Sequence, residues 1–385
     1  MATEGDGFEG SSAEGLSLRV LHVSQPVEAG TAQVVKSLAE HDRAQGRSVR
    51  IASPSGALAS WALEQGFPWV DCPMTRSLST GDLRSLWTLR RAMADSDVVF
   101  LHSSKAGALG RIATLSLPRR RSLLVFYPHA WSWEVGGKGA AVYRATEHLL
   151  APVADRIVAV SGAEERRGRV VLGPRGRSRI EVIENGVDVD RFVAQGPCAA
   201  LGSAPSVVCV GRLCDQKGQD LLVASMRDPR LADVSLFLVG DGPRADLLRA
   251  QARDAGIDDR VHLVGHADPR PYYRAADLVV LPSRWEGFSL VTLEAMACGA
   301  NVLASPAAAA DLGEDQGIFV IDAPDDPTGI ATSIADALDV ASGTDEFRRR
   351  ARDVAVESFS LRRVEERYDR MLAALVAARP RGLAS

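Results

Sequence analysis

Cysteine is scarce, and its spacing excludes the chemistry it most often serves. The five cysteines among 385 residues (Cys72, Cys198, Cys209, Cys214 and Cys298) contain no C-x-x-C pair, and an odd number does not make a disulfide framework. A reducing cytoplasm fits this usage best. Cys209 and Cys214 lack nearby histidines, so they read as ordinary thiols and no metal site is implied. There is also no uninterrupted apolar run of the roughly 18 to 20 residues that a membrane-spanning helix requires. A formal net charge of −4 gives no general reason to expect nucleic acid, so any anion site must be local. Residues 1–16, MATEGDGFEGSSAEGL, lack both a basic start and an apolar stretch. No secretory signal is expected there, and the composition reads as a disordered leader.

What the chain does have is alternation. Short runs rich in Val, Ile and Leu are separated by longer helical patterns, the signature of parallel strands covered by helices on both faces. One series of candidate strands comprises 18–23, 49–52, 97–102, 122–127, 155–160 and 180–183. A second comprises 206–210, 234–239, 261–264, 277–281, 301–304 and 317–321. Gln195 to Pro205, with two glycines and two prolines, reads as a linker between them. The expected fold class is α/β: two Rossmann-like, doubly wound parallel-sheet domains, residues 17–194 and 195–362, facing a central cleft. From Phe347 to Ala377 a helical pattern places Val364, Tyr368, Met371, Leu372 and Leu375 on one face. A helix near 363–378 is expected to pack back on the first domain and brace both, and the tail RPRGLAS is expected to fray.

Ligands of open parallel sheets bind beyond the carboxyl ends of strands, where loops and helix N-termini leave N–H groups unpaired. The segment Ser283 to Gly299, SRWEGFSLVTLEAMACG, follows such a strand and opens a helix near Ser289. Glu286 falls in the loop and Glu294 about one and a half turns into the helix, so both can face one pocket. Between them Gly287, Phe288, Ser289 and Leu290 offer backbone N–H groups at a positive helix end, a cradle for a diphosphate. Taken without context, the two glutamates read first as solvated helix-face charges, because Glu is usually exposed. The neighbouring strand-end loop GRLCDQKGQDLL tips that balance, because Arg212 and Lys217 there can neutralise phosphate oxygens. The competing use of these two cations is pairing with Asp215 and Asp220.

These motifs resemble the retaining glycosyltransferases of family 4, over roughly residues 18 to 378. The match is carried by Gly211-Arg212-Leu213 with Lys217-Gly218, by Gly240-Asp241-Gly242-Pro243, and by Glu286-Gly287-Phe288-Ser289 with Glu294-Ala295-Met296-Ala297-Cys298-Gly299. The resemblance implies the GT-B fold and transfer of a sugar from a nucleotide diphosphate sugar, a UDP-sugar by family weight, to an acceptor hydroxyl. It implies that Arg212 and Lys217 bind the donor diphosphate, that Glu286 approaches the transferred sugar and that Glu294 holds the ribose. Phe288, Ser289 and Leu290 inherit backbone contacts to phosphate and sugar. In the first domain, Gly30 stands where the family often has the second of two paired glycines, and here Ala29 takes the place of the first. His129, in YPHAWSW after a strand, matches a histidine beside the transferred sugar, and His102 and Lys105 are candidates to face the acceptor. After Cys298-Gly299 the chain departs from the family: Ala300-Asn301 replaces a proline-led strand and Pro306 to Ala310 replaces a glycine-rich turn.

The expected reaction needs no metal and no cofactor, because Arg212, Lys217 and the helix end would stabilise the departing diphosphate. No carboxylate is securely placed for double displacement, so a same-face substitution is favoured, with the leaving phosphate helping to take the acceptor proton. Asp188-Val189-Asp190 spells D-x-D, but after Asn185-Gly186 it reads as turn and cap. Gly240 to Ala245 fits G-x-G-x-x-A, yet the strand VHLV is followed by Gly265-His266 instead of a ribose-binding acid. Two other classes stay open: a non-catalytic nucleotide-sugar-binding protein, and an epimerase or phosphorylase on the same architecture. Trp131 and Trp133 read either as stacking surface or as core. The basic stretch from Arg166 to Arg179 is a candidate for peripheral contact with anionic lipid at the inner face of the membrane, diluted by Glu164 and Glu165.

Overall fold

The computed structural model describes residues 18–75, 79–115, 122–135 and 139–379. The expected leader, residues 1–16, and all of the tail RPRGLAS after Arg379 lie outside them. Seven strands form the first sheet: β1 (Arg19–Ser24), β2 (Ser48–Ser53), β3 (Trp69–Asp71), β4 (Val98–His102), β5 (Leu123–Tyr127), β6 (Arg156–Ala159) and β7 (Ile180–Val182). Six form the second: β8 (Ser206–Val210), β9 (Ser235–Val239), β10 (Val261–Gly265), β11 (Leu278–Leu281), β12 (Val302–Ala304) and β13 (Ile318–Val320). Every ladder is parallel. The orders β3-β2-β1-β4-β5-β6-β7 and β10-β9-β8-β11-β12-β13 each reverse once, between β1 and β4 and between β8 and β11. Those reversals are where open α/β sheets leave a crevice at their carboxyl edges.

These strands form because both faces are covered. β4 and β8 are buried along their whole length, which explains unbroken apolar runs in place of alternation. β3 was not anticipated: it is a three-residue edge strand with no buried residue, too short and too exposed to leave an apolar signature. Residues 195–205 carry neither helix nor strand.

One apolar cluster runs through both domains, joining Phe100 and Tyr127 of the first sheet to Val279 of the second and to Leu293 and Met296 of the helix Leu290–Ala297. The chain's last elements complete it. The single helical pattern from Phe347 is in fact two helices, Glu346–Phe359 and Leu361–Ala377, broken at Ser360, whose backbone is extended and bridges to Val187. Val364, Tyr368, Met371, Leu372 and Leu375 of the second helix are all buried, as the spacing predicts. This helix reaches the first sheet: the Tyr368 ring lies 5.2 Å from that of Phe100, and its hydroxyl donates to Asp42 at 2.9 Å. Burying a leucine of this kind stabilises by about 1.5–3 kcal/mol, and truncating it adds the cost of a cavity. Leu372→Ala is therefore expected to lower the unfolding free energy by about 2–5 kcal/mol, read from urea denaturation.

Candidate active site

Three loops meet at the carboxyl edge of the second sheet with almost no side chain between them. Gly211, after β8, has φ 146°, Gly218 has φ 69° and Gly240, after β9, has φ 142°. A Cβ at Gly240 would overlap the carbonyl oxygen of Gly211, one at Gly242 that of Leu213, and one at Gly218 that of Pro282. Glycine is required here for backbone-on-backbone packing as well as for positive φ. Gly242 is thus spent on the neighbouring loop, and the helix that follows starts at Ala245, with Pro243 in the turn before it.

From β11 the chain enters Pro282 to Ser289 and then the helix Leu290–Ala297. Ser289 caps that helix, its Oγ accepting from the Thr292 N–H at 3.3 Å. Three successive carbonyls just before the helix are held by the first domain: Glu286 O accepts from Arg167 Nη2 at 3.2 Å, Gly287 O from Ser161 Oγ at 2.8 Å and Phe288 O from Asn185 Nδ2 at 2.8 Å. In a trans peptide the N–H points opposite to the preceding C=O. Clasping these carbonyls therefore turns the N–H groups of Gly287, Phe288 and Ser289 to the other side. Together with that of Leu290, none of these N–H groups has a hydrogen-bond partner among the described residues. Unpaired amides in a row beside a helix N-terminus form an anion site.

The charges follow. Lys217 forms an ion pair with Glu286, whose carboxylate also accepts from Ser283 Oγ at 3.1 Å and Gln216 Nε2 at 3.4 Å. Burial works against the Lys217 ammonium, but the Glu286 carboxylate outweighs it and holds the lysine above its ordinary range. The Arg212 side chain is exposed. Neither cation is taken by the acids that the sequence offered as competitors: Asp215 pairs with Arg244, and Asp220 with Arg284 at 2.7 Å. Glu294, in the helix, accepts from the Tyr273 hydroxyl at 3.0 Å. Burial pushes its carboxyl up to about 7.

The first domain supplies the opposite wall. A Cβ on Gly287 would lie 2.9 Å from the Ala130 nitrogen and 2.9 Å from Val160, and one on Gly30 would lie 3.6 Å from Leu290. His129 and Ala130 form a strained turn, with φ 52° and 78°. It is held by Glu164, which accepts from Ala130 N at 2.6 Å and Val160 N at 2.7 Å. His129 is partly buried, its Nε2 lies 3.0 Å from His102 Nδ1, and burial lowers its pKa to about 3.

Arg212, Lys217, Glu286, Gly287, Phe288, Ser289, Leu290, Gly30 and His129 thus line loops at one cleft, with Glu294 along the helix behind them. The Phe288 ring turns to the core, against Phe359, so only its backbone serves the site. Other expectations are corrected. His102 is fully buried and cannot face an acceptor, and Lys105 donates to Asp82 at 2.6 Å. Trp131 and Trp133 stack on each other in the core at 4.5 Å and offer no binding surface. Asp188 accepts from the N–H groups of Asp190 and Arg191 at 3.1 and 3.0 Å, the turn role expected of it. In the basic stretch Arg166 pairs with Asp311, Arg167 with Glu134 and Arg169 with Glu165, Arg177 and Arg179 donate to carbonyls, and Arg175 is exposed. Among the described residues no helix is long and apolar enough to cross a membrane.

Residues 204–339 match the family model for glycosyl transferases group 1, and residues 29–186 that for the glycosyl transferase 4-like domain. The chain belongs to this glycosyltransferase family and has its GT-B fold. It is 31% identical over 235 residues to the GDP-mannose-dependent alpha-(1-6)-phosphatidylinositol monomannoside mannosyltransferase of Mycobacterium tuberculosis, the match spanning 56% of this chain and 60% of that protein. It is 39% identical over 179 residues to the D-inositol 3-phosphate glycosyltransferase of Nocardia farcinica, spanning 41% and 39%. Among solved structures, HepE of Anabaena in complex with UDP superposes with a TM-score of 0.78 at 22% identity, covering 93% of this chain and 100% of that one. Sucrose-phosphate synthase from Thermosynechococcus elongatus gives 0.79 at 20%, covering 94% and 100%.

Sequence reasoning missed Ser161, Arg167, Asn185, Gln216 and Tyr273. Ser161 and Asn185 do carry a signal, since each follows a predicted strand of the first sheet. The structure also gives Ala29 a positive φ of 61°, at the position where the family often has glycine. A left-handed alanine costs about 1–2 kcal/mol, partly offset on replacement by the extra chain entropy of glycine. Ala29→Gly is expected to raise thermal stability by up to about 1 kcal/mol, whereas Ala32→Gly, inside the same helix, lowers it by at least about 1 kcal/mol.

Proposed function

We propose that this protein transfers a sugar from a nucleotide diphosphate sugar to an acceptor hydroxyl, with retention at the anomeric carbon and without a metal ion. The observation that carries the reading is the row of unpaired N–H groups from Gly287 to Leu290, next to Lys217 and an exposed Arg212. Fixed dipoles and cations aimed at a departing diphosphate stabilise its developing charge in the way a divalent cation otherwise would. Glu286, held by Lys217, Ser283 and Gln216, orients hydroxyls of the transferred sugar, and Glu294 takes the ribose. His129 closes the sugar side. Glu286 is already committed to Lys217, which favours same-face substitution over a covalent sugar on that carboxylate.

The donor base separates two readings. A UDP-sugar is the expectation from the sequence; the GDP-mannose dependence named for the 31% identical mannosyltransferases supports GDP-mannose instead. Acceptors with an inositol or lipid-linked sugar hydroxyl suit the names of the relatives.

Titration calorimetry with UDP and GDP in the presence of EDTA is the test. One of them is expected to bind, and Arg212→Ala and Lys217→Ala are each expected to weaken it at least about tenfold, the loss of one charge-assisted contact. Unchanged affinity in both variants would sink the reading. Incubation of the matching donor sugar should release nucleotide diphosphate only with an acceptor present; isomerised donor without acceptor would indicate an epimerase. Binding also has a pH signature. Ribose hydroxyls donate to the ionised Glu294 carboxylate, so its pKa falls from about 7 in the free protein to a lower value in the complex. Binding therefore releases a proton below about pH 7, affinity rises with pH up to that point, and Glu294→Gln abolishes the slope.

A further inference from the structure

Beneath His129 lies a row of side chains that the transfer chemistry does not use. His22 on β1, His102 at the end of β4 and His129 just past β5 come from adjacent strands. Ladder partners His22 and Phe100, then His102 and Tyr127, put the row on a single face of the sheet. His129 Nε2 lies 3.0 Å from His102 Nδ1, His102 Nε2 lies 3.1 Å from His22 Nδ1, and His22 Nε2 lies 2.9 Å from Asp42 Oδ2. Asp42, His22 and His102 are fully buried. At its far end the Asp42 carboxylate also receives Arg47 Nη1 at 2.6 Å and the Tyr368 hydroxyl at 2.9 Å.

The polarity of this row follows from what each group can do. Arg47 and Tyr368 only donate to Asp42, and arginine does not lose its proton, so Asp42 is a pure acceptor. A neutral His22 then carries its single proton on Nε2, which leaves Nδ1 as the acceptor for His102. His102 in turn carries its proton on Nε2 and accepts from His129 through Nδ1. His129 donates from Nε2, so its own Nδ1 is left bare. That nitrogen has no hydrogen bond among the described residues and is not sealed from solvent. Burial holds His102 well below its ordinary range and His129 near 3, so neither takes up a second proton near neutrality.

We propose that Asp42, acting through His22 and His102, locks His129 in its Nε2–H tautomer, so that an unprotonated Nδ1 is presented as a hydrogen-bond acceptor to a hydroxyl of the transferred sugar. Asp42, His22 and His102 are positioning residues, and their role in transfer rests on His129 standing beside that sugar. A neutral acceptor selects a hydroxyl donor and rejects a carbonyl or ether at the same position, a specificity that an untethered imidazole, free to swap tautomers, lacks.

Nitrogen-15 NMR of histidine-labelled protein reads each tautomer directly. The wild type is expected to show protonated Nε2 and bare Nδ1 in His22, His102 and His129. In Asp42→Asn the side-chain amide donates to His22 Nε2, so all three histidines are expected to reverse to the Nδ1–H form. That variant should lose about 10- to 100-fold in kcat, the scale seen when a partner orienting a metal-bound histidine is removed, with affinity for the free nucleotide diphosphate unchanged. A wild-type His129 protonated on Nδ1, or an Asp42→Asn protein with His129 unreversed, would overturn the relay. The wild-type spectrum decides even if the variant does not fold. If the tautomers hold but the donor sugar leaves the His129 Nδ1 resonance unmoved, the relay stands and the placement of His129 beside the sugar falls.

Discussion

An ammonium and a carboxylate, drawn partly out of water at the mouth of the second sheet, set the terms for everything around them. Such a pair is stable only where desolvation is repaid by geometry and by further hydrogen bonds. Lys217 and Glu286 meet that condition because three glycines let their loops pack backbone to backbone, and because Ser283 and Gln216 add donors to the carboxylate. The same packing excludes side chains from the space beside the pair. What is left beside the pair is a row of unpaired peptide N–H groups, the arrangement of an anion site.

That surface is assembled by two domains, not by one. The carbonyl oxygens of Glu286, Gly287 and Phe288 are gripped by Arg167, Ser161 and Asn185, and it is this grip that turns the intervening N–H groups away from the first domain. Contact between the domains and the orientation of these N–H groups are therefore coupled. Asp311 reinforces it from the second domain, pairing with Arg166 and accepting from the Ala163 N–H at 2.8 Å, at the N-terminus of the helix Gly162–Val171. A carboxylate there is favoured by the helix dipole as well as by the arginine.

Much of this was readable in the sequence, for a physical reason. Parallel strands buried on both faces leave continuous apolar runs, so β8, from Ser206 to Val210, could be bounded to the residue, while the exposed edge strand β3 left no trace. Lys217 and Glu286 were legible because the chemistry of a strand-end loop is local, a short polar segment a few residues after a strand having to face the cleft, and Glu294 because helical spacing turns it toward the same side. The grip on the carbonyls was not legible, since Ser161 and Asn185 act on residues more than a hundred positions away. The histidine row was hidden for the same reason. His102 looked like a site residue in its own right, and only the pairing of β1 with β4 shows that it faces inward, toward His22.

The departures from family habit acquire a shared meaning in the backbone. Ala29, where paired glycines often stand, and Ala310, at the end of the segment replacing a glycine-rich turn, both have positive φ, 61° and 55°. His129 and Ala130 do as well, at 52° and 78°. At Ala29 and Ala310 the chain has thus kept a positive φ that glycine makes easy while giving up the glycine. Strain persists only where its surroundings over-determine it. At His129 those surroundings are explicit: Glu164 takes the Ala130 N–H of the turn and the Val160 N–H just after β6, Gly287 packs against the turn from the second domain, and His102 fixes the ring. On the proposed reading, a histidine constrained in backbone, ring and tautomer does not adapt to a sugar, so the hydroxyl it meets has to be brought to it by the diphosphate across the cleft.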